Sequence, residues 1–208
     1  MTLYELKPRF QAWLRPVVQD LADRGATANQ VTVAAAAGSL AVGVLAAIGM
    51  LVSESPALFL LFPLWLFLRM ALNAIDGMLA REHGQQSALG AYLNELGDIV
   101  SDLALILPLA ALPDFGLAQV GTFALLAVMV EAAGLVGPLA GASRRYDGPL
   151  GKSDRAFAVG AIALWAGLGL GFGGAASWLW LALSLLSLYT ITNRVRRGVA
   201  EARARTAG

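Results

Sequence analysis

Acidic and amide side chains recur at three- and four-residue steps in two neighbouring stretches of an otherwise apolar chain. The first stretch contains Asn73 and Asp76, and the second contains Asn94, Asp98 and Asp102. Because residues three or four apart share one face of a helix, each set predicts a polar helical face. Oxygen ligands from two such faces suit a hard cation, Mg²⁺ or Mn²⁺, which in turn would bind phosphate oxygens.

The residues around these acids indicate a phosphate-binding cleft. Arg81 can pair with a phosphate group, and Gly77, Ala80 and Gly90 leave space for a bulky substrate. The alternative is structural, with the carboxylates forming bridges to Arg69 and Arg81. Five polar residues on two consecutive apolar segments favour the functional interpretation, since charges within apolar spans are costly.

The composition places these acids in a membrane protein. Of the 208 residues, 58% are hydrophobic and 14% are charged, and the mean hydropathy is +0.67. A soluble domain of this length could not bury so much apolar surface. Transmembrane helices are predicted at roughly 30–51, 57–78, 90–112, 117–139, 154–172 and 176–193. The predicted fold class is therefore an all-α integral membrane bundle of six transmembrane helices.

The basic residues predict how this bundle is oriented. With six spans, both termini lie on the side that carries nearly all Lys and Arg, whereas the opposite loops contain Glu54 and Asp114 and no basic residue. The positive-inside rule then places both termini in the cytoplasm and the chain in the cell inner membrane.

The chain is predicted to have three parts. Apolar residues recur at helical steps from Leu3 to Leu21, so residues 1–24 are expected to form an amphipathic helix in the membrane interface, the alternative being an ordinary soluble helix. Residues 25–194 form the membrane domain, and residues 195–208 form a basic cytoplasmic tail.

Together, the two polar stretches resemble the signature of the CDP-alcohol phosphotransferases. That family carries D-x-x-D-G-x-x-A-R, eight residues, and then G-x-x-x-D-x-x-x-D. Here Asn73-Ala-Ile-Asp76-Gly77-Met-Leu-Ala80-Arg81 is followed, after eight residues, by Gly90-Ala-Tyr-Leu-Asn94-Glu-Leu-Gly-Asp98. Thr27-Ala-Asn29-Gln-Val-Thr32 is similar to the family's T-P-N-x-x-T entry to the first span, with Ala28 in place of proline.

The resemblance implies an enzyme of phospholipid biosynthesis. Such an enzyme transfers the phosphoryl-alcohol part of a CDP-alcohol, commonly CDP-diacylglycerol, to an acceptor hydroxyl and releases CMP. The implied metal ligands are Asn73, Asp76, Asn94 and Asp98, and Asp98 is also the implied general base. The implied substrate-binding residues are Gly77, Ala80, Arg81, Gly90, Asn29 and Thr32. A homodimer is a further expectation from the resemblance.

Asn73 and Asn94 stand where the family has its first and third aspartates. An amide oxygen can ligate a cation but carries no charge, so metal binding should be weaker unless Glu95 or Asp102 compensates. One alternative is therefore a catalytically degenerate member that binds CDP-lipid or acts as a scaffold. A transporter or channel is a second alternative, but it would more naturally show an internal repeat or broken helices. Nothing in the chain supports nucleic-acid binding.

An acceptor site is expected in the loop between the fourth and fifth spans. Its cations, Arg144, Arg145, Lys152 and Arg155, could hold a phosphorylated acceptor such as glycerol phosphate or inositol phosphate. Topology and attraction to anionic lipids explain the same charges equally well. Glu131, in the middle of the fourth span, should avoid lipid and is expected either to point at the acceptor cavity or to pair with a cation inside the bundle.

Overall fold

The computed structural model describes residues 3–206, with side chains described from residue 9 onward. Within this part the helices are α1 (Leu3–Asp23), α2 (Ala28–Ser53), α3 (Leu61–Glu82), α4 (Ala88–Ile106), α5 (Leu117–Leu139), α6 (Lys152–Gly167) and α7 (Ala175–Thr206). Short 3-10 helices at Pro56–Leu60 and Leu107–Ala111 precede α3 and follow α4. Residues 3–206 contain no strand, which confirms the all-α prediction.

Four helical segments among the described residues are long and apolar enough to cross a membrane. They are Ala28–Ser53, Pro56–Glu82, Leu117–Leu139 and Ala175–Thr206. Helix α4 is continuous, but three carboxylates interrupt its apolar sequence. Helix α6 has only 16 residues, and its first turn contains charged residues. The apolar helices confirm the membrane character of the chain, while the number of six spans stays a prediction.

Side-chain caps determine where two of the central helices begin. At the start of α2, the Thr27 hydroxyl accepts a hydrogen bond from the Gln30 amide at 3.2 Å, and the Gln30 side chain accepts one from the Thr27 amide at 2.9 Å. At the start of α4, the Ser87 hydroxyl accepts from the Gly90 amide at 3.0 Å. Each cap satisfies backbone donors that lack a partner in the first helical turn.

Helix α2 packs against both α3 and α4, and α5 packs against α7. Two separate apolar clusters hold these helices together. One includes Phe62, Phe123 and Trp180, and the other includes Val18 and Met78. The bundle also buries polar and charged side chains, among them Arg69, Asp76, Glu131, Arg155 and Arg194.

Helix α1 lies against α3 at one end of the bundle. Leu14 and Val18 are buried there, whereas Trp13 and Val17 on the adjacent face remain exposed. An exposed aromatic residue on a helix beside the spans fits the predicted interfacial position, which itself stays a prediction. The part of the predicted apolar stripe before residue 9 lies outside the described side chains.

Helix α7 continues without a break to Thr206, so the boundary predicted at residue 194 falls inside it. Its last turns contact the α5–α6 loop. The Glu201 carboxylate accepts hydrogen bonds from the Ser143 amide at 3.0 Å and from the Arg145 guanidinium at 2.7 Å. These partners lie far away in the chain, which explains why the charge pattern alone indicated a separate tail.

The chain has no cysteine, so single introduced cysteines can test whether α4 and α6 cross the membrane. We expect a membrane-impermeant maleimide to label Pro113→Cys and Gly174→Cys in sealed right-side-out vesicles. Gln86→Cys and Ser153→Cys should react only after the vesicles are opened, because they would lie on the cytoplasmic side. Labelling of Ser153→Cys and Gly174→Cys from the same side would contradict a crossing by α6.

Candidate active site

A cavity of about 660 Å³ opens between α2, α3 and α4, at the ends of these helices that meet the α3–α4 loop. This volume is typical of small-molecule sites. All six predicted substrate-binding residues line it, namely Asn29, Thr32, Gly77, Ala80, Arg81 and Gly90. Asp76, Asn94 and Glu95 line the same cavity. The fold thus collects residues of three helices around one space.

Two glycines of the cavity allow side chains to approach the backbone closely. A methyl group at Gly77 would lie 3.0 Å from Nη1 of Arg81, so the Arg81 guanidinium lies directly over Gly77. A methyl group at Gly90 would lie 2.9 Å from Oδ1 of Asn29, so the Asn29 side chain reaches from α2 to α4. The missing Cβ atoms therefore set the positions of two polar groups at the cavity.

Gln85, in the α3–α4 loop, attaches this loop to the start of α2. Its Oε1 accepts a hydrogen bond from the Ala28 amide at 2.6 Å, and its Nε2 donates to the Ala26 carbonyl oxygen at 3.2 Å. Sequence reasoning missed Gln85, because its partners are backbone groups far away along the chain. Ser87 was missed too, although a serine before an apolar helix is a recognisable cap signal.

Asp76 is the buried carboxylate of the cavity. Only 5% of the residue is exposed, and Oδ2 accepts a hydrogen bond from the Thr32 hydroxyl at 2.9 Å. This contact joins the two motif segments, one on α2 and one on α3. A buried carboxylate needs such donors, since burial without them is costly.

Asp98 lies one helical turn beyond Asn94, and nitrogen donors surround it. Its Oδ1 accepts from Nη2 of Arg69 at 3.2 Å and from Nδ2 of Asn73 at 3.3 Å. Its Oδ2 pairs with the ammonium group of Lys152. The donors come from α3 and α6, so Asp98 on α4 joins three helices.

A chain of buried charges continues from Asp98 into the bundle. Asp102 accepts from Arg69 at 2.7 Å and from Arg155 at 2.6 Å. Arg155 also pairs with Glu131 at 2.9 Å, and Glu131 lies 3.9 Å from Nη1 of Arg194. Of the two alternatives for Glu131, the structure shows the pairing with cations inside the bundle.

Arg155 and Glu131 therefore lie away from the cavity between α2, α3 and α4. Arg155 is only 1% exposed, and neither residue is part of the cavity lining. The first turn of α6 carries Arg155 inward because Asp102 and Glu131 attract it there. Asp102 also forms the bridge to Arg69 that the structural alternative predicted for these acidic residues.

The remaining loop cations are paired as well. Arg144 pairs with Glu95 at the cavity, where its Nη2 donates to Oε2 at 2.7 Å. Arg145 pairs with Asp147 at 2.6 Å. Although burial raises the pKa of Asp147, hydrogen bonds from Arg145 and Arg197 outweigh it and hold this pKa below its usual value. The stabilisation is therefore present at neutral pH and is lost as the pH falls through the lowered pKa.

The described side chains do not fit a pair of divalent cations. No group of three His, Cys, Asp or Glu residues among them could hold a metal ion. Glu95 and Asp102 do not replace the charges that Asn73 and Asn94 lack, because guanidinium groups already occupy both carboxylates. Asp102, expected as a metal ligand, is part of the buried ion pairs with Arg69 and Arg155.

Comparisons with known proteins agree with the motif. Residues 26–191 match the family model described as CDP-alcohol phosphatidyltransferase. The chain is also 45% identical over 196 residues to the inner membrane protein YnbA of Escherichia coli (strain K12), covering 94% of this chain and 96% of that protein.

The buried charges predict a strong dependence of stability on Arg155. The variant Arg155→Leu removes the cation that Asp102 and Glu131 share. The free energy of unfolding should therefore fall by about 3–5 kcal/mol. Thermal unfolding in detergent would measure the loss. The control is Arg24→Leu, which removes an exposed pair with Asp20 and should change the melting temperature little. Equal effects of both variants would contradict a structural role for the Arg155 pairs.

Proposed function

The chain belongs to the CDP-alcohol phosphatidyltransferase family, and we propose that it transfers the phosphatidyl group of CDP-diacylglycerol to an acceptor hydroxyl with release of CMP. One observation carries this proposal. The cavity between α2, α3 and α4 is lined by motif residues from all three helices, namely Asn29, Thr32, Asp76, Gly77, Ala80, Arg81, Gly90 and Asn94. Their shared position supports one substrate site built from segments that are distant in sequence.

The position of the cavity suits a lipid with a charged headgroup. Exposed Gln86 and Ser87 lie at its rim, in the loop between α3 and α4. A CDP-alcohol bound there would keep its diphosphate near water while its acyl tails remain in the bilayer. We infer that this rim faces the cytoplasm and that the protein lies in the inner membrane, as the name of the relative YnbA suggests.

In this proposal the cavity holds the CDP part of the donor. The Arg81 guanidinium, placed over Gly77, pairs with a phosphate group, because guanidinium groups match phosphate geometry. Ala80 and Gly90 leave room beside it. Asn29 and Thr32, at the start of α2, contribute polar groups from the opposite wall.

Asp98 is the proposed general base. It accepts the proton of the acceptor hydroxyl while the acceptor oxygen forms a bond to the phosphorus of the phosphatidyl group. The bond from that phosphorus to the CMP oxygen breaks, and CMP leaves. Arg69 and Asn73 orient Asp98 by hydrogen bonds to Oδ1. Members of the family use a divalent metal, but the residues present here do not fit a pair of divalent cations.

The acceptor is proposed to be an uncharged alcohol. Arg144, Arg145 and Arg155, expected to bind a phosphorylated acceptor, each pair with a carboxylate. A phosphate on the acceptor would have to displace these carboxylates, whereas a neutral hydroxyl compound would not. A catalytically degenerate member that only binds CDP-lipid remains the alternative function, which Asn73 and Asn94 favour.

The first test is the release of CMP from CDP-diacylglycerol by the purified protein. We expect release that depends on an acceptor, is greater with neutral alcohols than with phosphorylated ones, and falls at least about 100-fold in Asp98→Asn through loss of the base. The control is Asp20→Asn, which changes an exposed carboxylate on α1. The panel of acceptors should include glycerol phosphate and inositol phosphate.

Two results would contradict this proposal. Saturable binding of CDP-diacylglycerol without CMP release from any acceptor would favour the degenerate binding protein. CMP release that is unchanged in Asp98→Asn would exclude Asp98 as the base.

The contact between Gly77 and Arg81 predicts a second result. Gly77→Ala should raise the KM for CDP-diacylglycerol by about tenfold, because the new methyl group displaces the Arg81 guanidinium from its phosphate. The melting temperature should change little, since Arg81 is an exposed, flexible side chain. Gly121→Ala on α5, where a methyl group meets no atom within 4 Å, is the matched control. An unchanged KM would argue against phosphate binding by Arg81.

A further inference from the structure

The motif of this chain carries less negative charge than a site for two divalent cations needs. Of the four motif positions that carry aspartate in the family, this chain retains a carboxylate only at Asp76 and Asp98, with Asn73 and Asn94 at the other two. Two carboxylates balance at most one divalent cation. The missing negative charge is not restored by neighbouring carboxylates, because Glu95 and Asp102 are paired with guanidinium groups.

A cation of the protein itself occupies the position next to Asp98. The ammonium group of Lys152 pairs with Oδ2, while Arg69 and Asn73 donate to Oδ1. Both carboxylate oxygens thus face nitrogen donors. A divalent ion at this carboxylate would have to displace these donors and would be repelled by two positive charges.

The charges of the polar layer also balance without an added ion. Its four carboxylates are Asp76, Asp98, Asp102 and Glu131, and its four cations are Arg69, Lys152, Arg155 and Arg194. In an apolar bundle, such balance lowers the cost of burial. A pair of divalent cations bound before the substrate would leave four uncompensated positive charges here.

We propose that the ammonium group of Lys152 takes the place of a divalent cation at Asp98, so that this chain binds CDP-alcohol without a pre-bound pair of metal ions. Lys152 can do this because it is the most exposed cation of the layer, with 37% of its side chain exposed, and because a lysine stem is flexible. When the donor enters, the ammonium group turns from Asp98 to the diphosphate. Asp98 is then free to accept the acceptor proton, and Lys152 stabilises the charge on departing CMP.

The inference rests on the proposed function for its substrate, but two binding measurements test it without turnover. The first is the binding of Mn²⁺ to the purified chain, followed by electron paramagnetic resonance. We expect no stoichiometric binding to the wild type, and clear binding once carboxylates are restored and the lysine is removed in Asn73→Asp/Asn94→Asp/Lys152→Met. The control is Gln11→Glu/Gln19→Glu, which adds two carboxylates on α1 and should bind no more Mn²⁺ than the wild type.

The second measurement is the affinity for CDP-diacylglycerol in the presence of EDTA. The wild type should retain its affinity, and Lys152→Met should lose about tenfold, because a charge-assisted contact with phosphate is removed. Lys152→Arg should retain most of the affinity, since the charge remains. Lys152→Arg is also the control for misfolding, and size-exclusion chromatography of both variants would detect an unfolded or aggregated protein.

Stoichiometric binding of Mn²⁺ by the wild type, whether one ion or two, would overturn the proposal, as would loss of CDP-diacylglycerol binding in EDTA. An affinity that does not differ between the wild type and Lys152→Met would overturn it too. Failure of the proposed function has another signature, namely absence of CMP release while the EDTA-resistant, Lys152-dependent binding persists. In that case the protein binds CDP-diacylglycerol through Lys152 without metal ions, but it does not catalyse the transfer.

Discussion

The arrangement of this bundle depends on the need to pair carboxylates that lie among apolar helices. Arg69 contacts both Asp98 and Asp102, and through them it joins α3 to α4. Arg155 then connects Asp102 to Glu131, which brings α6 and α5 into the same network. A buried charge without a partner would cost several kcal/mol, so these pairs strongly restrict how the helices pack.

The polar face of α4 serves two different purposes along its length. Asn94, at one end, lines the cavity between α2, α3 and α4, whereas Asp102, two turns further, is fully engaged by guanidinium groups. Asp98 lies between them along the helix, and Arg69 contacts both Asp98 and Asp102. For Asp98 as the proposed base, such a network of ion pairs would hold the carboxylate in one orientation.

The α5–α6 loop is held from a distance by the last turns of α7. Arg145 and Asp147 of this loop contact Glu201 and Arg197 on α7. Held in this way, the loop places Arg144 against Glu95 at the cavity and leads into α6, which carries Lys152 to Asp98. The C-terminal residues therefore contribute to the site through the loop that they position.

The sequence by itself determined the helical class, the membrane character and the motif residues that line the cavity, although not Gln85 and Ser87. Hydrophobic length and helical spacing are local properties, and the motif positions Gly77, Arg81 and Gly90 could be read from their fixed separations. Only the tertiary structure decided how the charges pair. Arg155 pairs with Glu131, and Lys152 pairs with Asp98. Both partners lie more than twenty residues away in the sequence, so neither pair could be read from local spacing. Spacing along one helix indicates which residues share a face, but the partner of a buried charge depends on which helices pack together.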